Sequence, residues 1–420
     1  MVDELASQDL NILTYTNPPM KAYKYRLYPS KKIETKFNQV LNSCRYLYNS
    51  MLEYERYVYE KDIKFANRIE LNNLLPDIKV INPSLKEVHS QILQNVNDRV
   101  IKSFNGFFTR VKNGAKAGYP RFKNIHRYNS FNYPQSGFKF ISQSKIKLSK
   151  IGEINIKLHR AIKGKVKTLT IMKTPTNKWF AVFCCEIHNI APEHRSNEHI
   201  GVDMGLTKFA TLSNGLEIDN PRYLRLSLGK LKSKSKQLSK KQKGSCNRLE
   251  SRFKLAKLHE KVSNQRLDFL HKESKNLVNS YSLIAIEDLD VREMNDKYMQ
   301  LSINDASWVK FRQLLTYKAE EAGCKIVCVE PRGTTQECSK CGKAVPKRLW
   351  NRLHKCPNCG LSLSRDLNSA FNILNRAHKK LRFLSSYSKL SLPTEGHSES
   401  NACGDGAIAP SSKQEAPYCV

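Results

Sequence analysis

At 420 residues the chain has length for two to four folded units at roughly 150 residues each, and 71 Lys and Arg against 38 Asp and Glu leave a formal net charge of +33. Its longest apolar run, 179–185, is far short of the roughly 20 residues a membrane-spanning helix needs, and the acidic start lacks the apolar stretch of a secretory signal. A positive excess spread over hundreds of residues points to a polyanion, with nucleic acid favoured over a membrane surface.

Residues 1–19 read as a loose leader closed by Asn17, Pro18 and Pro19. The alternation over 21–28 predicts one strand, ended by Pro29. From Ser30 to about Asn124 the pattern turns helical: Ser30 offers a cap, and Ile33, Phe37, Val40, Leu41 and Cys44 supply an apolar face. Further helices are predicted over 43–67 and 85–111, with breaks near Pro76 and Pro83. Eight of the eighteen tyrosines lie between Tyr23 and Tyr59. They could stack on bases among nearby cations, although core packing is the commoner use for any one of them. Residues 130–190 alternate like an antiparallel sheet, with Ile154, Ile156 and Leu158 on one face and a hairpin of 168–172 with 179–187. A strand at 21–28 separated from its fellows predicts one β-domain, 20–30 plus 128–197, split by a helical insert at 31–127. Ala191 and Pro192 begin a polar linker.

The next unit opens with strand 200–203, a glycine-flanked turn, strand 209–212 and a turn at Ser213, Asn214 and Gly215. Residues 222–262 then hold fourteen Lys or Arg against only Glu250 and Glu260. Leucines recur there from Leu224 to Leu258, so long basic helices are predicted. A charge run is ordinarily a solvated face, but at this imbalance a phosphate-facing surface is the better reading. Residues 283–286 form a short buried-strand run ending in Glu287 and Asp288. A helix over 308–322 closed by Gly323, and a strand over 325–329, follow. Leu367, Ala370, Phe371, Leu374 and Ala377 mark a final helix, and the Ser-rich stretch 383–420 is expected to be disordered.

Four of the twelve cysteines form two C-x-x-C pairs, Cys338 with Cys341 and Cys356 with Cys359, fourteen residues apart. The other eight follow no framework spacing, which argues for a reducing cytosol rather than a disulfide scaffold. Two such knuckles place four thiolates tetrahedrally around Zn²⁺, and four sulfurs leave no open position for water, so the site is structural. Pro357, Gly342 and Gly360 suit the tight turns. His354 could in principle replace a ligand, but the sulfurs already suffice.

Three acids share a position. Asp203 ends a strand at a glycine-flanked turn, Glu287 ends another, and Asp366 lies in the first turn of the last helix. Singly, each has an ordinary explanation as turn former, solvated strand end or helix N-terminal charge. Together, they sit at element ends that would converge in an α/β layer. Three such carboxylates bind Mg²⁺ or Mn²⁺, and two metals about 3.5–4 Å apart activate water at a phosphodiester.

The motifs around Gly201, Asp203 and Gly205, around Glu287, around the two Cys pairs, and over Arg365, Asp366, Asn368 and Ala370 resemble the TnpB (OrfB) proteins of bacterial and archaeal insertion sequences. Tyr23 to Pro29 and Gly118 to Lys123 resemble the same family's N-terminal half. The resemblance spans about Met20 to Arg382. It implies a mixed α/β multidomain protein: an RNase H-like (RuvC) nuclease core over 198–337 and 361–382, interrupted by a zinc ribbon at 338–360. An N-terminal wedge β-barrel carrying a helical recognition insert precedes it. It also implies that Asp203, Glu287 and Asp366 are the catalytic acids, holding two Mg²⁺ or Mn²⁺. One departure from many relatives is Ser364, where they carry an acid two residues before the last catalytic Asp.

The implied activity is metal-dependent, RNA-guided DNA cleavage beside a short motif. The partners would be a guide RNA from the mobile element and target double-stranded DNA, with no membrane. The complex would hold one copy of the chain, in the prokaryotic cytosol on nucleoid DNA. The alternatives are a transposase acting directly in strand transfer and a nuclease-dead, RNA-guided repressor. The intact acid triad argues against the repressor.

Overall fold

The computed structural model describes residues 20–62, 65–187, 194, 196–290, 299–348 and 350–390. The expected leader, the linker at Ala191 and the tail beyond 390 lie outside these. The described residues fall into two compact units. One comprises those within Met1–Asn197, Asn220–Ser282 and Val291–Lys325, the other those within Glu198–Asp219, Leu283–Asp290 and Ile326–Val420. Residues 220–282 and 291–325, expected within the nuclease core, fall in the first of these units, and their helices pack on one another.

In the first unit, β1 (Met20–Tyr28) lies between β7 (Trp179–Glu186) and β5 (Gly152–Lys157), antiparallel to both. The full order runs from β2 (Ser130–Tyr133) through β6 (Lys165–Lys173), β7, β1, β5 and β4 (Lys145–Leu148) to β3 (Phe138–Ser142). The N-terminal strand thus completes the middle of a sheet built from residues more than a hundred positions away. The sheet runs open from β2 to β3, where a closed barrel was expected. Tyr25, Leu27, Ile154, Ile156, Ala181 and Phe183 fill its inner face.

The helical insert differs from expectation in two places. Residues predicted as two helices form one, α1 (Lys31–Asp62), because no Gly or Pro interrupts them. Its cap is as expected, with Ser30 Oγ accepting from the Ile33 N–H at 3.4 Å. After α2 (Arg68–Asn73), Pro76 sits in the first turn of α3 (Leu75–Ile81) rather than breaking a helix, since a first-turn Pro has no intrahelical bond to lose. The helix α4 (Ser90–Lys112) follows a 3₁₀ turn at Pro83–Glu87. Phe37 of α1 packs 4.6 Å from Trp179 and 5.8 Å from Phe131, tying the helix to the sheet.

The expected basic helices are α5 (Tyr223–Ser239) and α6 (Cys246–Ser280). Arg248 caps the end of α5 by donating to the Leu238 and Lys241 carbonyls at 3.0 and 2.7 Å. Buried Asp305, in α7 (Gln300–Ala306), accepts from the Leu224 and Arg225 N–H groups and from Arg266 at 2.8 Å. The helix predicted over 308–322 and the strand over 325–329 appear where expected, with α8 (Trp308–Ala322) closed by Gly323 in the left-handed region.

The second unit is a five-stranded sheet in the order β10 (Glu217–Asp219), β9 (Lys208–Leu212), β8 (His199–Met204), β11 (Leu283–Glu287) and β12 (Lys325–Val329). The first three are antiparallel, and β11 runs parallel to β8. Every residue of β11 is buried, as its unbroken apolar run requires of a central strand. The strands β13 (Leu353–Lys355) and β14 (Ser362–Ser364) form a small hairpin, and α9 (Arg365–Leu390) ends the described chain. Ile373 and Ala377 of α9 pack on Leu283, Ala285, Val327 and Val329. The helix reaches Leu390, into the stretch expected to be disordered, because nothing between Asp366 and Pro393 breaks it. Among the described residues no helix is long and apolar enough to cross a membrane.

Candidate active site and metal centre

Asp203 and Glu287 meet because β8 and β11 are parallel neighbours. Val202 pairs with Ile286, so the two acids follow at the same level on adjacent strands. Asp366 comes from the first turn of α9, and Gly201 explains why that helix approaches so closely. A Cβ at 201 would collide with the Ala370 carbonyl oxygen and come within 3.0 Å of Leu374 Cβ. Only a glycine in β8 lets α9 lie against the strand. Ser213 clamps the same point, its Oγ accepting from the Gly201 N–H at 3.0 Å while its own N–H donates to the Gly201 carbonyl at 2.9 Å.

Asp203 feels both of the other acids. Burial pushes the Asp203 carboxyl well above its usual range, and the negative charges of Glu287 and Asp366 push it further. Arg365 and the Ser369 hydroxyl act more weakly in the opposite direction. Glu287 is also raised, chiefly by burial, against the pull of Thr334 and Arg376. Like charges gathered out of water are costly unless a cation sits among them. Among the described residues, only the four cysteines bring three or more possible ligand atoms within 4.8 Å of one another, so the acids are set less tightly than the sulfurs.

Thr334, Asn372 and Arg376, to which the sequence assigns no role, brace Glu287 and the loop beside it. The Thr334 hydroxyl, fully buried, lies 2.6 Å from Glu287 Oε1 and 2.9 Å from the Pro331 carbonyl, donating to one at a time. Asn372 donates to the carbonyls of Thr334 (2.8 Å) and Glu337 (2.7 Å), and Asn368 to that of Glu337 (2.7 Å). Arg376 reaches the Glu330 and Arg332 carbonyls and Glu337 Oε2, all within 2.8 Å. One face of α9 is thereby bonded to the loop that leads from β12 to the first cysteine. At its start, Arg365 lies 3.2 Å and Arg352 3.5 Å from the Asp366 carboxylate.

The cysteines converge as the spacing predicted. The four sulfurs all lie within 4.8 Å of one another, with Cys338–Cys359 at 3.5 Å and Cys341–Cys356 at 3.6 Å. A tetrahedral Zn²⁺ with bonds of about 2.3 Å requires sulfur separations of roughly 3.8 Å, so the set can hold zinc. Each knuckle closes on its glycine. Gly342 and Gly360 have φ of 75° and 70°, and their N–H groups donate to the Cys338 and Cys356 carbonyls. Backbone N–H groups aimed at Cys341 and Cys356 lower both thiols, whereas Cys359, despite the Leu361 N–H, is pushed up to about 12 by desolvation and the three neighbouring sulfurs. His354 is buried with Nδ1 against the Lys347 ammonium and lies outside the cluster.

Three stretches match family models: 182–297 a model described as "Probable transposase" (OrfB_IS605), 308–373 "Cas12f1-like, TNB domain", and 20–64 "Helix-turn-helix domain" of the OrfB_IS605 group. Within the last stretch the structure has a strand and one long helix, β1 and α1. A Streptomyces pristinaespiralis protein named "Putative RNA-guided DNA endonuclease" is 30% identical over 363 residues, 84% of this chain and 88% of that one. The Escherichia coli (strain K12) "Putative RNA-guided DNA endonuclease InsQ" is 29% identical over 381 residues, 86% and 93% of the two chains. Among solved structures, the protein of a Cas12f1–sgRNA–target DNA complex shares the fold, with a TM-score of 0.55 at 14% identity over 86% of this chain and 99% of that one.

Proposed function

This chain belongs to the TnpB (OrfB) family, and from that premise we propose that it is an RNA-guided DNA endonuclease whose second unit hydrolyses phosphodiesters with divalent metal. The observation that carries the reading is that parallel neighbours β8 and β11 set Asp203 and Glu287 side by side, while α9, laid against Gly201, brings Asp366 toward them. In this reading the three carboxylates hold Mg²⁺ or Mn²⁺, which when bound lowers the pKa of water and offsets charge at the phosphorus. Thr334 fixes one oxygen of Glu287, while Arg352 and Arg365 steady Asp366. The mixed sheet, antiparallel through β8 and parallel beyond it, with α9 laid across, supports an RNase H-like (RuvC) core. The cysteine hairpin is its zinc ribbon. The seven-stranded sheet serves as the wedge, and α1 to α4 as the recognition insert.

The partners follow from charge and family. A surplus of +33 suits a guide RNA from the mobile element together with target double-stranded DNA, base pairing then carrying sequence choice. The cysteines outside the two knuckles follow no framework spacing, which supports a reducing prokaryotic cytosol. One copy of the chain per complex is the simplest assembly.

The test is cleavage of a guide-matched plasmid by protein purified with its RNA. Asp203→Ala, Glu287→Ala and Asp366→Ala should each abolish cutting in Mg²⁺ while leaving RNA and target binding intact. A variant that still cuts at near wild-type rate removes that residue from the site. Joined rather than cleaved ends would favour a transposase acting directly.

A further inference from the structure

We propose that Trp350, on the cysteine hairpin, is a stacking platform for an unpaired base of the DNA strand being cut. Trp350 is 74% exposed, whereas the chain's other two tryptophans, Trp179 and Trp308, are buried. A lone exposed apolar residue needs no explanation in itself. Here its surroundings supply one. Between Glu337 and Asp366 the sequence contains no acidic residue and seven Lys or Arg. Even with Zn²⁺ and four thiolates, together −2, this segment stays strongly positive. The Arg348 guanidinium sits 5.3 Å from the Trp350 ring centroid, a charge held beside an aromatic face.

The indole is presented rather than left over. The Asn351 N–H donates to the Arg348 carbonyl at 3.0 Å, and Asn351 Oδ1 accepts from the Leu353 N–H at 3.3 Å. Two residues beyond Trp350, Arg352 reaches the Asp366 carboxylate. Two residues of chain span at most about 7 Å, so the indole stands within a few nucleotides of the proposed cutting site. An aromatic face flanked by cations takes a base and its phosphate together, and only an unpaired base offers a free face. This rests on the reading of the second unit as a DNA nuclease.

The experiment uses full-length protein carrying Glu287→Gln to prevent cutting, with single-stranded oligothymidylate as the probe. Stacking should quench the exposed indole on titration, and duplex DNA of the same length should quench far less. In Trp350→Phe the remaining buried indoles should give no response, while affinity stays near wild type because Phe still stacks. Trp350→Ala and Trp350→Leu should each weaken binding roughly 5- to 100-fold, one base–aromatic stack, at unchanged melting temperature. Absence of quenching when DNA binds, or wild-type affinity in Trp350→Leu, overturns the proposal. Quenching by single-stranded RNA and not by DNA overturns the assignment to the cut strand. Plasmid cutting by the wild type, run alongside, separates the two readings. If it cuts and Trp350→Ala cuts and binds equally well, stacking alone fails; if it neither binds nor cuts DNA, the nuclease reading fails.

Discussion

Gly201→Ala offers a test of how the acids are brought together. The added methyl would meet the Ala370 carbonyl and sit 3.0 Å from both the backbone N and Cβ of Leu374. Two of these three atoms belong to helix backbone, so no side-chain rotation can relieve the contact. The helix α9 must retreat by about 1 Å, carrying Asp366 with it, while Asp203 stays two residues away on β8. Overpacking of this kind costs about 1–3 kcal/mol of stability, and a misplacement near 1 Å can cost about 100-fold in rate. Cleavage of a guide-matched plasmid should therefore fall about 100-fold, with target binding retained and only a modest drop in melting temperature. Near wild-type cutting by a folded Gly201→Ala protein would refute the idea that this contact sets the distance between the acids.

Metal analysis should find about one Zn²⁺ per chain, and Cys356→Ser should lose it. With about 10 kcal/mol of metal-linked folding energy gone, the hairpin should melt by proteolysis or hydrogen exchange, and cutting should go with it. Thr334→Val removes the hydroxyl beside Glu287 while keeping the shape. Because a hydrogen bond to a charged group is worth about 1.5–3 kcal/mol, it should raise the Mg²⁺ concentration for half-maximal cutting about 10- to 100-fold, with Thr334→Ser restoring it. Replacing Lys230, Lys232, Lys234 and Lys236 with Gln should weaken nucleic-acid binding regardless of sequence. A helix turns about 100° per residue, so lysines two positions apart point to nearly opposite sides, and nearer two contacts than four should be lost. The slope of log K against log salt should then flatten by about 1.8 for duplex DNA, and an unchanged slope would make the segment a merely solvated face.

The parts of this protein legible in its sequence are those whose signal is local. Period-two alternation placed β1, β5, β6 and β7, the apolar run placed β11, and Gly323 closed α8. The cysteine knuckles were legible because metal geometry dictates both their spacing and their glycines. Less local features were hidden. A polar pair at Asn42 and Ser43 looks like a new helix start, yet α1 runs through it, since a cap residue ends nothing unless a breaker accompanies it. Thr334 carries no signal, because a loop threonine becomes a partner of Glu287 only once β12, its loop and α9 are assembled. Gly201 did leave a trace: an isolated glycine in a strand often marks close backbone approach. What it approaches is 169 positions away, which no window of sequence reveals.

The same bonds account for both the stability of the second unit and the geometry of its acids. The helix α9 lays Ile373 and Ala377 on the sheet, and it turns Asn368, Asn372 and Arg376 toward the loop before the first knuckle. Its N-terminus carries Asp366, where the helix dipole favours the carboxylate. Thr334 in that loop touches Glu287, and β14 of the hairpin leads directly into Arg365. A disturbance in the ribbon therefore has two short routes to the acids, one through β14 and one through the loop. Loss of zinc should consequently silence the acids before it unfolds the sheet, because the sheet's own core of β8, β11 and β12 needs none of these polar contacts to remain buried.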